Sequence, residues 1–389
     1  MPLPLAIYVH FPYCAVRCPY CDFAVTTERH IPQERYTRAV LAELALRAAS
    51  LAPYRARTLY LGGGTPSLWD PERVAAVVAA VRTVLGLPVG AEVTLEANPE
   101  SADAGRLAAF RAGGVNRFSI GVQSFDPAVL AKLGRRHGPE AAERAVRAAA
   151  AVTDDVSVDL IYGARRSSVA TARADAARLA ALPVAHVSAY ALTLDPDVLA
   201  TDVPLARMLR EGRLPLPPEE DVLAQARALR AGLRRAGFRR YEVSNFARPG
   251  HESLHNATYW ESGSYAGLGV GAVGCLHAPR APKALRWANH RATGAYLEDL
   301  EAGRLPTASE ERLGSRELLE ERILLALRTR RGLPLDELPR QAGADVAELV
   351  RRRLAVRAGG HLVLTSRGLD LHGAIAERLV PRAARSDPA

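Results

Sequence analysis

Six short β-rich segments recur along the first half of the chain, and stretches whose apolar residues repeat with helical spacing lie between them. The segments read LAIYVHFPYC, RTLYLGGGTPS, EVTLEANPES, RFSIGVQSF, VSVDLIYG and HVSAYALTLDP. Strand and helix in alternation favour a parallel sheet built from βαβ units. Because six units are too few to close an eight-stranded barrel, we predict an α/β fold with an open, partial (β/α)6 barrel, and a doubly wound sheet is the second choice.

The unusual residues of this region lie where the predicted strands end. Cysteines follow the first strand, and a run of glycines follows the second. Glu96 and Asn98 lie at the end of the third strand, Gln123 at the end of the fourth and Asp159 at the end of the fifth. Since the C-terminal ends of parallel strands meet at one edge of a sheet, we expect these residues to form one site.

Three of the four cysteines, Cys14, Cys18 and Cys21, have the spacing C-x3-C-x2-C directly after the first strand. An odd triplet cannot pair with itself in disulfides, and a zinc site normally requires a second Cys or His pair downstream. The remaining cysteine, Cys275, stands alone beside His277. A cluster of four irons and four sulfides can be held by three thiolates of one tight loop, with one iron left open. The spacing therefore favours an iron-sulfur cluster and leaves zinc as the alternative.

A glycine run follows the second predicted strand as GGGTP, from Gly62 to Pro66. Glycines allow a polar ligand to approach the backbone closely. Together with the neighbouring cysteine motif, this loop resembles the radical S-adenosylmethionine (SAM) superfamily. The resemblance implies a 4Fe-4S cluster whose open iron is chelated by the amino and carboxylate groups of SAM. It also implies that an electron from the reduced cluster cleaves SAM to methionine and a deoxyadenosyl radical.

Further motifs narrow the resemblance to the oxygen-independent coproporphyrinogen oxidase group, over residues 5 to about 300. These motifs read YVHFPYCAVRCPYCDF, LGGGTPS, LEANPE, FSIGVQSFD, LGRRH and VDLIYG. The resemblance implies that the cluster is bound by Cys14, Cys18 and Cys21. It implies a SAM pocket made of Tyr8 and Tyr20 beside the cluster, the backbone of Gly63, Gly64 and Thr65, and the side chains of Glu96, Gln123, Arg135 and Asp159. Arginine suits a carboxylate, and acidic residues suit an ammonium group or ribose hydroxyls.

Two features distinguish branches within this group. Phe23 occupies the position of the last cysteine in the C-x3-C-x2-C-x-C motif of the oxidases, and residues 255–260 read HNATYW. Both features resemble the heme-chaperone branch, which implies a protein that binds heme and passes it to an acceptor. His255 is then the predicted heme ligand, with His251 and His277 as lesser candidates. The alternatives are an oxygen-independent coproporphyrinogen III oxidase and a radical-SAM methyltransferase, so whether the chain is an enzyme stays open.

The sequence after residue 195 allows the domain organisation to be predicted. Residues 196–218 are rich in Pro and Arg and predict a crossover, and four glycines between Gly267 and Gly274 predict tight turns or close approach to a ligand. Helices followed by a Gly359-Gly360 hairpin resemble a winged-helix α+β module, which we expect to pack against its neighbours. The predicted regions are a radical SAM core at 1–200, an extension with the HNATYW motif at 201–305 and the winged-helix-like domain at 306–389.

The composition of the chain indicates which binding partners and which cellular location to expect. The 389 residues carry a formal charge of +9, but Lys132 and Lys283 are the only lysines and the arginines are scattered, so we do not expect a nucleic-acid partner. No apolar run reaches the roughly 20 residues of a membrane span, and the first residues lack the basic region of a signal peptide. We therefore expect a cytoplasmic protein without an integral membrane segment. The expected partners are heme and a heme-accepting protein, a respiratory protein being one option, and a homodimer is a further option.

Overall fold

The computed structural model describes residues 2–195, 203–278 and 281–380. Part of the predicted crossover (196–202), with the predicted boundary at residue 200, lies outside the described residues, as does 381–389 of the predicted C-terminal domain. The strands are β1 (Leu3–Phe11), β2 (Tyr54–Gly63), β3 (Glu92–Ala97), β4 (Arg117–Gln123), β5 (Val156–Tyr162), β6 (His186–Ala191), β7 (Arg239–Arg240), β8 (Asn245–Ala247), β9 (Tyr265–Gly269), β10 (Val273–His277), β11 (Ala284–Asn289), β12 (Thr307–Leu313), β13 (Leu333–Pro334), β14 (Ala355–Ala358) and β15 (His361–Leu364).

The helices flank these strands and build most of the C-terminal part. They are α1 (Gln33–Leu51), α2 (Pro71–Leu85), α3 (Ala104–Ala112), α4 (Pro127–Lys132), α5 (Pro139–Ala150), α6 (Val169–Ala180), α7 (Pro204–Arg210), α8 (Glu219–Arg235), α9 (Leu254–Trp260), α10 (Thr293–Glu301), α11 (Ser315–Leu327), α12 (Gly343–Arg351), α13 (Ser366–Leu369) and α14 (His372–Leu379). No helix in the described ranges combines the length and the apolar character that crossing a membrane requires.

A twelve-stranded sheet has the order β12-β11-β10-β9-β1-β2-β3-β4-β5-β6-β8-β7. Strands β1 to β6 are parallel neighbours in sequence order, and at least one helix connects each of them to the next. This arrangement confirms the predicted α/β fold with six βα units. A doubly wound sheet would reverse its strand order at a switch point, and β1 to β6 contain no reversal.

The sheet extends past the six predicted strands at both ends. Strand β9 pairs in parallel with β1, with Ala6 opposite Tyr265, and β10 to β12 continue the sheet as antiparallel strands. At the other end, β8 pairs antiparallel with β6, and β7 pairs with β8. The region predicted as an extension therefore shares the sheet and the main hydrophobic core of the βα units.

Apolar side chains hold the helices onto the sheet. Within β1, the side chains of Leu5, Ile7 and Val9 are fully buried. Helix α2 begins with proline at its first position and is followed by Gly86 as its C-cap residue. Its buried side chains follow helical spacing and are Val74, Val77, Val78, Val81 and Leu85. Full burial of such a side chain contributes roughly 1.5–3 kcal/mol, so this stripe is sufficient to hold α2 against the core.

A second hydrophobic core lies in the C-terminal part, formed by α11 to α14 and by the small sheet β13-β15-β14. Gly359 and Gly360 connect β14 to β15 with φ values of +54° and +79°, which suit the predicted tight hairpin. Helices together with this small sheet give the predicted winged-helix-like α+β organisation. The boundary predicted at residue 306 falls before β12, which pairs with β11 in the large sheet.

Candidate functional site

A cavity of about 440 Å³ opens at the C-terminal ends of the parallel strands, the edge of the sheet where the sequence predicts the site. The structure brings eleven of the predicted residues to its wall: Cys14, Cys18, Tyr20, Cys21, Gly63, Gly64, Thr65, Glu96, Gln123, Arg135 and Asp159. Tyr8 and His255 lie outside this wall.

The three predicted cluster ligands lie on the loop between β1 and α1. The amide of Cys21 donates a hydrogen bond to the carbonyl of Cys18 at 3.1 Å, which closes a tight turn. The Thr65 hydroxyl lies 3.5 Å from Cys14 Sγ, and the Arg135 guanidinium donates to Cys18 Sγ at 3.3 Å. Burial raises the pKa of Cys14 to about 11 and also raises the pKa of Cys21. Both thiols are therefore protonated at neutral pH, and binding a cluster has to release their protons.

This donor set fits a 4Fe-4S cluster. Three soft sulfur ligands share one cavity wall, and hydrogen-bond donors lie beside two of them. Among the described residues, no group of three or more His, Cys, Asp or Glu side chains is arranged to hold a single metal ion.

The glycine loop after β2 packs tightly against the end of β1. The amide of Gly63 donates to Glu96 Oε2 at 3.0 Å, while the amides of Gly64 and Thr65 donate to backbone carbonyls at 2.7 and 2.9 Å. A Cβ at Gly64 would lie 2.8 Å from a carbonyl oxygen, so only glycine fits there. Because these amides are used within the protein, the loop can offer a ligand its carbonyl oxygens, which accept hydrogen bonds from an ammonium group.

Tyr8, predicted to lie beside the cluster, lies under the glycine loop. Its hydroxyl donates to Nδ1 of His10 at 3.0 Å, because Nε2 of His10 is used to donate to the carbonyl of Ala24 at 2.8 Å. Burial lowers the pKa of His10 to about 4, so the imidazole is neutral. A Cβ at Gly62 would approach the Tyr8 ring to 2.9 Å, and one at Gly63, whose φ is +117°, would approach His10 to 2.7 Å. Tyr8 therefore supports the loop from behind.

Two buried carboxyl groups line the cavity. Burial, followed by the charge of Asp159, raises the pKa of Glu96 to about 7. Burial also raises the pKa of Asp159 to about 6. Tyr60 donates to Glu96 at 2.8 Å, and Ser119 lies 3.1 Å from both carboxylate oxygens of Asp159. A cationic ligand would stabilise the ionised form of both carboxyls, so this part of the cavity suits an ammonium or sulfonium group.

Arg135 and Gln123 line a part of the cavity that carries a positive charge. The Arg135 guanidinium donates to Asn98 Oδ1 at 2.8 Å and to the carbonyl of Gly121 at 3.2 Å, so its position is fixed. Gln123 ends β4 with a φ of +66°. Such a conformation costs a residue other than glycine on the order of 1–3 kcal/mol and occurs often at functional sites. A fixed cation in this position can bind a carboxylate.

His255, the predicted heme ligand, is an interior residue of α9. Its side chain is only 1% exposed, and its Nδ1 and Nε2 atoms are each 2.9 Å from a hydroxyl oxygen, that of Thr58 and that of Tyr259. Burial lowers the pKa of His255 to about 3. Both nitrogens of this imidazole are hydrogen-bonded and the ring is enclosed, so His255 as a heme ligand stays a prediction from the sequence.

The other residues of the HNATYW motif contact different regions of the protein. Asn256 lines the cavity at the strand ends, whereas Trp260 lies under the guanidinium of Arg328 at 3.9 Å from the ring centre. The Glu92 carboxylate accepts hydrogen bonds from the first amides of α9, at 2.8 Å from Leu254 and 2.9 Å from His255. The motif thus fixes a short helix at the junction of the sheet and the C-terminal part.

Several cavity residues were missed, although the sequence carries a signal for some of them. Ser119 precedes Gln123 by four positions on β4, and Ile161 follows Asp159 by two on β5, so each shares a strand face with a predicted residue. Ser188 on β6 lines the cavity in the same way. Period-two alternation from the predicted residues would have found the first two.

An apolar rim surrounds part of the cavity. Phe23 is 60% exposed, Val16 is 45% exposed and Tyr190 is 43% exposed, and all three line it. Phe23 therefore contributes an accessible apolar face next to the predicted cluster ligands, where the oxidases of the resembled group carry a further cysteine.

Comparisons with known proteins identify the family of the chain. Residues 8–198 match the Radical SAM superfamily, and residues 313–371 match the HemN C-terminal domain. The Mycobacterium tuberculosis (strain ATCC 25618 / H37Rv) protein named Heme chaperone HemW is 41% identical over 384 residues, covering 97% of this chain and 95% of the relative. Heme chaperone HemW of Escherichia coli (strain K12) is 36% identical over 282 residues, covering 71% of each chain. The Bos taurus protein named Radical S-adenosyl methionine domain-containing protein 1, mitochondrial, is 39% identical over 331 residues, covering 84% of this chain and 74% of the relative.

A solved structure shares the fold. Coproporphyrinogen III oxidase (HemN) from Escherichia coli has a TM-score of 0.81 at 20% identity and covers 97% of this chain and 90% of its own. At this level of identity the likeness shows the fold alone. The family follows from the nearly full-length identity to the HemW proteins, which confirms the resemblance found in the sequence. The chain belongs to the HemW family of radical SAM proteins.

Proposed function

We propose that this chain is a heme chaperone that binds heme, a 4Fe-4S cluster and SAM, and passes the heme to an acceptor protein. The observation that carries the proposal is the 41% identity, over 97% of this chain, to relatives named heme chaperone HemW. Phe23 supports it, since the oxidases of the resembled group carry a cysteine at that position. The likeness to the HemN oxidase, at 20% identity, concerns the fold and does not favour the oxidase.

The cavity at the strand ends supports binding of the cluster. Cys14, Cys18 and Cys21 would hold it, while Thr65 and Arg135 would donate hydrogen bonds to two of the sulfurs. When bound and reduced, a cluster of this kind supplies the electron that cleaves SAM. The residues of the chain keep the thiols on one wall and, through Arg135, place a positive charge beside the sulfur of Cys18.

The same cavity supports binding of SAM beside the cluster. The carbonyl oxygens of the glycine loop, with Glu96 behind them, suit the ammonium group of its methionine part. Arg135 suits the carboxylate, and Asp159 with Ser119 suits ribose hydroxyls. Tyr20 and Gln123 line the remaining wall.

Heme titration of anaerobically reconstituted protein tests the proposal. We expect one saturable heme site, followed by transfer of the heme to an apoprotein such as apomyoglobin, measured by the change in the Soret absorption. The matched control is Cys14→Ser, which should lose the cluster absorption while circular dichroism shows an unchanged fold. Failure of the wild-type protein to take up heme in a saturable way would refute the chaperone function.

A coproporphyrinogen assay on the same sample tests the oxidase alternative. With cluster, SAM and a reductant present, we expect no protoporphyrinogen IX from coproporphyrinogen III. Formation of that product at a rate that depends on SAM and on Cys14 would establish the oxidase. Action in the cytoplasm, a respiratory acceptor and a homodimer remain predictions from the sequence.

A further inference from the structure

A second cavity, of about 350 Å³, lies between the β9-β10-β11 part of the large sheet and helix α11 of the C-terminal core. It shares no lining residue with the cavity at the strand ends. Its aromatic and aliphatic walls come from Tyr259, Tyr265, Leu324 and Leu325. One of these residues, Tyr259, belongs to the HNATYW motif.

The cavity contains a sulfur and a nitrogen donor side by side. Cys275 and His277 are two positions apart on β10, so their side chains point to the same face of the strand. Cys275 Sγ lies 3.9 Å from His277 Nε2. The amide of His277 donates to the hydroxyl of Ser264 at 3.0 Å, which fixes this end of the strand. Imidazole nitrogen and cysteine sulfur are both ligands that heme iron takes in proteins.

The walls suit the flat apolar ring of a heme. The rings of Tyr259 and Tyr265 lie 4.8 Å apart at 85°, giving aromatic surface next to the donor pair. Leu324 is 44% exposed, so the cavity has an apolar side that faces solvent. Arg286 lies at the cavity wall, where it is paired with Glu321, which also lines the cavity, through hydrogen bonds of 2.6 and 2.7 Å, and with Glu311 at 3.3 Å. The donor pair and the aromatic and aliphatic walls suit a flat apolar ring with a metal at its centre.

We propose that this second cavity is the heme site, with His277 Nε2 as the iron ligand, and that His255 is a positioning residue that acts on heme through Tyr259. The inference rests on the proposed heme binding and deepens it. His255 Nε2 is 2.9 Å from the Tyr259 hydroxyl, and the two rings meet edge to face at 5.1 Å. Loss of His255 would release Tyr259, which forms part of the cavity wall.

Heme titration of His277→Gly, with and without added imidazole, tests the ligand assignment. We expect the Kd for heme to rise roughly tenfold or more, together with loss of the absorption spectrum of histidine-ligated heme. Free imidazole should restore that spectrum, because it can enter the space left by the side chain. His255→Gln should weaken binding but keep the wild-type spectrum. Restoration by imidazole is a response that a merely structural role would not give.

A second variant tests the cavity without touching its interior. Leu324→Glu places a negative charge at the exposed side and should raise the heme Kd severalfold. The matched control is Leu46→Glu on α1, since Leu46 is 41% exposed and Leu324 is 44% exposed, and both lie on helices. Cluster content after reconstitution and far-UV circular dichroism establish that each variant is folded.

The outcomes separate this inference from the proposed function. If wild-type protein binds heme, but His277→Gly and Leu324→Glu bind it with unchanged affinity and spectrum, the second cavity is excluded and the chaperone function stands. Loss of the histidine-ligated spectrum in His255→Gln, with restoration by imidazole there, would also overturn the assignment. Absence of saturable heme uptake by the wild type removes the proposed function itself.

Discussion

The burial of His255 predicts a specific dependence of stability on pH. The pKa of this imidazole is lowered by burial to about 3, whereas the ordinary value of 6.5 applies to the unfolded chain. Between these values the unfolded state binds a proton that the folded state does not, so the stability contributed by His255 falls as the pH falls below about 6.5. Protonation of this one group stabilises the unfolded state by about 2 kcal/mol more at pH 5 than at pH 7.

Equilibrium urea unfolding at pH 7 and pH 5 measures this effect. The free energy of unfolding of the wild type should drop about 2 kcal/mol more between the two pH values than that of His255→Gln. The comparison between the two proteins cancels the pH-dependent contributions of other buried histidines to the free energy of unfolding. One of these is His10, whose pKa is lowered to about 4. Tyr259→Phe is the control, because it removes the hydrogen bond at Nε2 but leaves the imidazole buried. Equal pH dependence in the wild type and His255→Gln would show that the imidazole is accessible to protons in the folded state.

Three further changes test the cluster and SAM cavity and the junction with the C-terminal part. Gly64→Ala puts a Cβ 2.8 Å from a carbonyl oxygen, so calorimetry on the reconstituted protein should show SAM affinity reduced roughly tenfold or more, with heme uptake unchanged. Because burial raises the pKa of Glu96 to about 7, SAM binding should strengthen from pH 6 to pH 8 as the carboxylate ionises. Glu96→Gln should flatten that profile, and a profile that persists would assign the titration to another group. Arg328→Ala removes the ion-pair partner, at 2.7 Å, of the fully buried Glu242, which keeps the hydrogen bond from the Ser244 amide, and should cost about 3–5 kcal/mol in urea unfolding. Arg316→Ala, at an exposed pair, should cost less than about 1 kcal/mol, and similar losses in both variants would contradict the argument.

The part of the fold that was predictable is the part specified by local patterns. Strands β1 to β6 are apolar segments between helices with buried stripes, and both patterns are readable over a few residues. The parallel addition of β9 to β1 was not predictable in this way, since it pairs Ala6 with Tyr265 and depends on contacts remote in the chain. The glycines of this segment predicted tight turns or close approach to a ligand. A Cβ at Gly267 would collide with the carbonyl of Val273, so the close neighbour there is backbone of the same chain.

The ends of the predicted strands indicated where the site lies, but they did not indicate which side chains are exposed in the cavity. Glu96, Gln123 and Asp159 line the cavity because the ends of parallel strands converge on one edge. Tyr8 belongs to the same edge, yet it lies under the glycine loop, where its hydroxyl supports His10. Which layer a side chain occupies depends on what packs over it, and the linear sequence does not carry that information.

The HNATYW motif shows why a loss of heme affinity on replacing its histidine does not by itself identify an iron ligand. Helix α9 has seven residues, and a helix this short is marginal by itself. Its position therefore depends on its contacts: His255 in the interior, Asn256 at the first cavity, Tyr259 at the second, and Trp260 under Arg328. Replacing His255 disturbs both cavities through the helix, so reduced heme affinity in such a variant does not by itself identify a ligand. Restoration of the spectrum by imidazole does identify one, because the free base replaces a bond to iron and cannot replace the packing of a buried ring.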